Sequence, residues 1–321
     1  MNEARLVEVE TCQLCGSRSR TEMFREPPFR VLRCADCSLV YVSPRHADDV
    51  VHELYDRHYW NSDSPKTRGY ARYAEEEPLY LKTFRRRLRL VNDHVPARPL
   101  RVLDIGCAAG FFLRVMRDQG HEVRGAELSA EIAAHAVQHL GAENLHIGFL
   151  HDLEPDRQGF EHHSFDLVTL WDVVEHVPRP QALMQHVREL LKPDGVLILE
   201  TQNVDSAFAN LLGKRWQHFK HEEHLYHFNP ATIRRLLTDT GFQVVRNTPS
   251  FGGKYVSLGF IAERAGRLSK AAGLLCKPLN AFGRMSIYLN LRDEMVVVAR
   301  PSAEFGRTAE VRPDHATAAK H

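Results

Sequence analysis

From residue 100 onward, short apolar runs alternate with stretches whose apolar positions recur every three to four residues. The runs LRVLDI (100–105), HEVRGAEL (121–128), LHIGFL (145–150), FDLVTLW (165–171), GVLILET (195–201), FQVVRN (242–247) and DEMVVVAR (293–300) predict strands. Helices are predicted between them: one leaving a small-residue turn and ending near Gln119, SAEIAAHAVQHL (129–140) with Ser129 as N-cap, one over 180–192, and ATIRRLLTDT (231–240) stopped by Gly241. Strands alternating with helices imply a mostly parallel sheet covered on both faces. The expected fold is therefore α/β, a doubly wound, Rossmann-like, seven-stranded sheet over residues 96–300, with the last strand paired antiparallel.

Elsewhere the pattern changes. Residues 45–95 read as a helical lid or linker with two aromatic-bearing pieces, HELYDRHYW (52–60) and YARYAEEEPLYLKTFRRRLRLV (70–91). Within the second, Arg85, Arg86, Arg87 and Arg89 read as one solvated helix face. Residues 251–292 form an insertion before the last strand, rich in small and apolar residues and expected to be helical. The tail 301–321 has no apolar period and is expected to be disordered.

Composition narrows the classes. A formal charge of +1 over 321 residues argues against a dedicated nucleic-acid binder. No apolar run approaches the roughly 18 residues of a spanning helix, so no membrane span is expected. The charged start MNEARLVEVE lacks the apolar region of a secretory signal, and the expected location is cytoplasmic.

Four of the six cysteines fall in two tight pairs, Cys12-Gln-Leu-Cys15 and Cys34-Ala-Asp-Cys37. Each C-x2-C turn aims two thiolates at one ion, so two such knuckles supply four soft ligands and leave no open coordination position. The pattern predicts a structural Zn2+ stapling a zinc-ribbon module over residues 1–44, a segment that cannot bury a core of its own. Cys107 and Cys276 stand apart.

The segment VLDIGCAAGFFL (102–113) carries the sharpest chemistry. Asp104 ends the first strand, and Gly106 and Gly110 bracket a tight turn into a helix, where backbone can approach a ligand at the carboxyl edge of the sheet. A dinucleotide site would show G-x-G-x-x-G around a pyrophosphate. Here the turn reads G-C-A-A-G behind a carboxylate, which suits a cationic ligand bearing an amino group. Glu127 closes the second strand, placed to accept from ribose hydroxyls.

These residues resemble those of class I S-adenosylmethionine-dependent methyltransferases over roughly residues 100–250. VLDIGCAAG matches the family's first motif, GAELS (125–129) its acidic ribose motif, FDLVTLWDVVEHVPRP (165–180) its fourth-strand motif and LLKPDGVLILET (190–201) its fifth. One departure is Ala108, where many members have glycine. The resemblance implies S-adenosylmethionine as cofactor. Asp104 and the turn from Gly106 through Cys107 to Gly110, with Phe111, would hold the methionine portion. Glu127 and Leu128 would flank ribose and adenine, Asp152 and Leu153 would meet the adenine, and Trp171 and Asp172 would sit beside the sulfonium. Glu175 and His176 read at least as readily as a structural pair as a catalytic one.

Residues 218–228, HFKHEEHLYHF, place four histidines at every third position. A second metal site, an acid–base centre and a polar surface loop are the three readings. Spacing of three faces one side only in a 3-10 helix, which makes four-fold ligation awkward. The chain is more narrowly similar to zinc-binding methyltransferases that modify sugars, which carry a four-cysteine module and a Glu-His pair after the fifth strand. That likeness implies His224 as general base supported by Glu223, with His221 and Tyr226 as substrate contacts. His221 stands where some members have tyrosine, and the 321 residues are expected to be too short for the sizeable C-terminal domain of the sugar C-methyltransferases, so the acceptor atom stays open. The expected substrate is a small molecule: a sugar, nucleotide-sugar, glycan precursor or secondary metabolite. An RNA methyltransferase gripping nucleic acid with the ribbon is the rival enzyme; against it, ETQN (200–203) lacks the N/D-P-P-Y/F motif of base-amino methylation. A non-catalytic cofactor-binding protein is the third reading.

Overall fold

The computed structural model describes residues 5–55, 57–60, 62, 73–150, 159–268, 270–283 and 285–303. In chain order the strands of the N-terminal part are β1 (Leu6–Val7), β2 (Arg20–Glu26), β3 (Phe29–Cys34), β4 (Val40–Ser43) and β5 (Arg45–His46). Helices α1 (Arg57–Trp60) and α2 (Glu77–Asn92) follow. Then come β6 (Arg101–Ile105), α3 (Phe111–Asp118), β7 (Glu122–Glu127), α4 (Ala130–Leu140), β8 (Leu145–Ile147), β9 (Phe165–Trp171), α5 (Pro180–Leu190) and β10 (Leu191–Gln202). The chain continues through α6 (Ala207–Leu212), β11 (Tyr226–His227), α7 (Pro230–Asp239), β12 (Phe242–Thr248), β13 (Lys254–Ser257), α8 (Leu258–Leu268), α9 (Lys270–Cys276), β14 (Ser286–Leu289) and β15 (Glu294–Pro301).

Seven strands form one sheet in the order β12-β15-β10-β9-β6-β7-β8. The pairs of β6 with β7 and β9, of β7 with β8, and of β9 with β10 are parallel, and β15 runs antiparallel between β10 and β12. The α/β doubly wound fold read from the sequence is therefore the fold of the chain. All seven residues of β9 are buried, as a central strand covered on both faces requires. Alternate residues serve the two sides. Val168 and Leu170 join the core under α5 and α7, while Leu167 and Trp171 join the core under α2, α3 and α4.

The N-terminal module is not a separate bead. Leu14, Leu32, Leu39 and Tyr41 share one hydrophobic core with Met184 and Val187 of α5 and Ile233 and Leu236 of α7. Its sheet is completed from far along the chain, in the order β11-β4-β3-β2. β11 pairs antiparallel with β4, Tyr226 opposite Tyr41 and His227 opposite Val40.

Several local expectations shift. LHIGFL yields only the three residues of β8, because Gly148, at φ 141°, turns the chain away. Ser129 occupies the N-cap position of α4 without a side-chain cap; its hydroxyl instead accepts from Trp60 Nε1 at 3.0 Å. Arg87 is not on a solvated face. It is buried and ion-paired to Glu200, while Arg85 and Arg89 stay exposed. The 251–292 insertion is a hairpin, β13 with β14, carrying α8 and α9 between its strands, rather than helix alone. The expected tail beyond residue 303 lies outside the described residues.

Candidate active site

The turn after β6 is shaped by two left-handed glycines. At Gly106, φ 70°, a Cβ would come within 2.5 Å of Val173 Cγ2; at Gly110, φ 75°, it would meet Ala136 Cβ at 2.9 Å. Ala108 between them also adopts a positive φ, 47°, the conformation a glycine there would take freely. Its N–H donates to Glu127 Oε2 at 2.9 Å, and the Ser129 N–H donates to Glu127 Oε1 at 2.8 Å. Glu127 therefore pins the glycine turn to the end of β7, and its remaining lone pairs face any hydroxyls brought there. Asp104 is buried, accepting from Thr169 Oγ1 at 2.6 Å. Burial pushes its carboxyl up to about 8, and burial likewise raises Glu127. Two buried carboxyls lie at one strand edge, neither bonded to a cationic side chain among the described residues, which suits a cationic ligand. That fits the amino group and sulfonium of S-adenosylmethionine. Cys107 is buried, and its Sγ lies where a side chain on Gly125 would go, 2.7 Å from that position. Phe111, the first residue of α3, is stacked by Tyr73 and Tyr80 at 5.7 and 5.5 Å. Leu128 is half-buried beyond Glu127. Asp152 and Leu153 lie outside the described residues.

At the end of β9, Trp171 packs edge-on against Phe84 and Phe112, with the Arg87 guanidinium 4.8 Å from its ring. Its indole Nε1 is buried without a hydrogen-bond partner among the described residues. Asp172, at φ 56°, receives Lys254 Nζ on Oδ2 at 2.8 Å, and the same ammonium reaches Glu294 at 3.1 Å. Burial works against ionisation there, but Lys254 outweighs it and holds Asp172 below the usual carboxylate range. Arg87, Lys254 and Glu200 went unread in the sequence as site residues. Arg87 hides in a basic run, and Lys254 belongs to an insertion with no motif.

The histidine-rich segment is an irregular loop rather than a helix, and its residues divide. His224 and His176 come together, rings perpendicular with centroids 4.7 Å apart. With Glu175 they form a cluster whose polar atoms lie within 4.8 Å of one another. His224 Nδ1 is 2.8 Å from the His218 carbonyl and His176 Nδ1 is 2.9 Å from the Glu223 carbonyl. A carbonyl can only accept, so each neutral ring carries its proton on Nδ1 and leaves the Nε2 lone pair free. Burial lowers both rings, His224 well below its ordinary value, and keeps them neutral. Glu175 accepts from Thr201 Oγ1 at 2.8 Å and from Gln202 Nε2, and burial pushes it up to about 8. Its carbonyl accepts from the Leu225 and Tyr226 N–H groups at 2.9 and 3.2 Å, tying the loop to the end of the fourth-strand motif.

Three expectations for this loop change. The Glu223 carboxylate is ion-paired with Lys220 Nζ at 2.7 Å and stands 3.8 Å from His224 Nε2, beyond hydrogen-bonding reach, so it does not orient that ring. What orients it is the His218 carbonyl. His221 points the other way, packed between Phe24 and Phe29 of the N-terminal sheet with Nε2 3.3 Å from Glu26. Tyr226 is buried in β11, its hydroxyl donating to the Pro178 carbonyl at 2.8 Å. Glu175 and His176, undecided in the sequence, are the missing neighbours of His224.

The four paired cysteines converge. Cys12 and Cys37 sulfurs are 3.5 Å apart, as are those of Cys15 and Cys34. A tetrahedral zinc with bonds of about 2.3 Å requires sulfur–sulfur edges of roughly 3.8 Å, which these thiols approach. The two knuckles are built alike. Gly16 and Ser38, both at positive φ, donate to the Cys12 and Cys34 carbonyls, while the Cys12 and Cys34 N–H groups donate five residues ahead to Ser17 and Leu39.

A seven-stranded Rossmann-like sheet with one antiparallel strand, a glycine turn at its carboxyl edge and buried carboxylates beside it define the class of S-adenosylmethionine-dependent methyltransferases. A methyltransferase-domain family model matches residues 70–247, and the chain belongs to that family. It is 29% identical over 201 residues to the ubiquinone biosynthesis O-methyltransferase of Xanthomonas euvesicatoria pv. vesicatoria, covering 58% of this chain and 76% of that one. The enzyme of the same description from Haemophilus ducreyi is 36% identical over 107 residues, 32% of this chain and 45% of that one. Among solved structures, a chain of the complex between the Haloferax volcanii Trm112 methyltransferase activator and a methyltransferase superposes with a TM-score of 0.50 at 18% identity, covering 76% of this chain and 96% of that one, a likeness of fold.

Proposed function

We propose that the protein transfers a methyl group from S-adenosylmethionine to a hydroxyl-bearing small molecule, with His224 Nε2 taking the acceptor proton. The observation that carries this reading is the fixed Nδ1–H tautomer of a buried, neutral His224 beside His176 and Glu175, three to four residues beyond Asp172. The bound cofactor supplies an electrophilic methyl on a sulfonium. Asp104 balances its positive charge, with the turn through Gly106, Cys107 and Gly110 holding the methionine portion, while Glu127 accepts from the ribose hydroxyls and Leu128 flanks the adenine side. Trp171 and Asp172 border the transfer, and water exclusion and alignment do most of the rest. As the acceptor oxygen bonds the methyl carbon, the carbon–sulfur bond breaks and the acceptor proton moves to Nε2. The relatives described as O-methyltransferases of ubiquinone biosynthesis support an oxygen acceptor on a small molecule. Sugars, nucleotide-sugars, glycan precursors and secondary metabolites are the pools to screen. Cys12, Cys15, Cys34 and Cys37 would hold a structural zinc.

With labelled cofactor and a panel of hydroxylated acceptors, His224→Ala should lower kcat about 100-fold or more while leaving cofactor affinity intact. Glu223→Gln should cost far less. A His224→Ala enzyme with wild-type turnover would remove that residue from the chemistry.

A further inference from the structure

Large apolar side chains are exposed unevenly. Of nine such residues among those described, five sit in the insertion: Leu274 (71% exposed), Leu275 (81%), Phe282 (60%), Met285 (59%) and Ile287 (43%). Their exposure follows from how α8 and α9 pack. The two helices meet through glycines, a Cβ on Gly273 falling 2.8 Å from Gly266 Cα, and at the base Gly259 faces Gly283. Glycine contacts bring backbones close and need no large side chain between them, so Leu274 and Leu275 are left unspent. The same segment is basic. Residues 258–289 contain Arg264, Arg267, Lys270, Lys277 and Arg284 against Glu263 alone, five positive and one negative, a net of +4. Lys270 and Lys277 flank the exposed leucines and are themselves exposed.

Exposed apolar side chains flanked by the exposed Lys270 and Lys277 on a short, basic helical element match the chemistry of an anionic lipid surface, where the apolar residues enter the acyl boundary and the cations meet headgroups. A second copy of this chain fits less well, because an isologous contact would set this basic segment, with its exposed Lys270 and Lys277, against itself. No helix among the described residues is long and apolar enough to cross a membrane, so any such contact is in the interfacial plane.

We infer that the 258–289 helical hairpin is an interfacial docking element that seats the protein on membranes bearing anionic lipid. The element is anchored to the body, not tethered. Lys82 Nζ donates to Ser286 Oγ at 2.9 Å, the Tyr255 N–H donates to Thr83 Oγ1 at 2.9 Å, and Arg86 lies 4.0 Å over the Tyr288 ring. The root of its hairpin is Lys254, bonded to Asp172 at the candidate active site, and the four residues of β13 span only about 10 Å.

The test is co-sedimentation of the purified full chain with vesicles of phosphatidylcholine alone and with 30–40% phosphatidylglycerol (roughly, to give a strongly anionic surface). Binding to the anionic vesicles is expected, weakened about tenfold or more by the pair Leu274→Asp and Leu275→Asp, and losing its preference for phosphatidylglycerol in the pair Lys270→Glu and Lys277→Glu. All four side chains are exposed, and unchanged circular dichroism and melting temperature would show the variants folded. Equal recovery of wild type and both variants from the supernatant overturns the inference. So does a wild-type dimer in sedimentation velocity that the leucine pair dissociates without any vesicle binding, which would assign the face to a second copy of the chain.

Discussion

At the scale of single residues, Asp104 makes the most specific statement. Its carboxyl is pushed up to about 8 by burial, against an unfolded value near ~3.9. A raised folded value means that the free protein is most favoured while Asp104 keeps its proton. That stability is complete below about pH 4 and is lost as pH rises through about 8; Glu175, raised likewise to about 8, acts in the same direction. A bound sulfonium and ammonium reverse the preference by favouring the ionised carboxylate. Cofactor binding near pH 7 should therefore release protons, and affinity should rise between pH 6 and 8 by up to about tenfold per unit before levelling. Calorimetry in buffers of different ionisation enthalpy reads the proton directly. In Asp104→Asn the release from this group should vanish and affinity should fall; unchanged proton release would move the titration to another carboxyl.

At the scale of elements, the motifs at strand ends were legible because they are local. An acidic residue and glycines within a few positions of Asp104 announce the turn, and FDLVTLW reads as a buried strand from its apolar run. Arg87 shows what stayed hidden. Its sequence neighbours are three more arginines, and the basic run looks like any solvated helix face, yet α2 turns this one inward onto Glu200, 113 positions away, and Trp171. Nothing in a local pattern names a partner at that separation. The buried pair also dictates an energetic prediction. Arg87→Ala leaves the Glu200 carboxylate buried without its cation, which should cost about 3–5 kcal/mol in denaturant unfolding, whereas Arg87→Met with Glu200→Leu should recover most of that loss. If the single variant were as stable as wild type, Glu200 would have to be protonated in the native protein.

At the scale of the whole molecule, the cysteine module and the proposed proton acceptor are joined through one short strand. The C-x2-C spacing revealed the thiol cluster, but not that β4, directly after Cys37, would pair with β11 from 185 residues later. That pairing carries the histidine loop: His227 lies opposite Val40, and the Val42 N–H donates to the Leu225 carbonyl at 3.0 Å. The ribbon side chains also fill the core under α5 and α7, so the metal would staple a piece of the main core as well as its own knuckles. The cofactor edge, built from β6, β7 and α3, meets the ribbon through that shared core, where Leu103 and Ile105 of β6 lie with Leu39 and Tyr41. Removing zinc with a chelator, or replacing Cys34 by Ser, should therefore lower the melting temperature and cut kcat tenfold or more while changing cofactor affinity much less. The separation between the two readouts is the diagnostic part. A ribbon that served only as a stability clamp would let the remaining folded protein turn over normally at low temperature, and that result would uncouple the cysteines from the placement of His224.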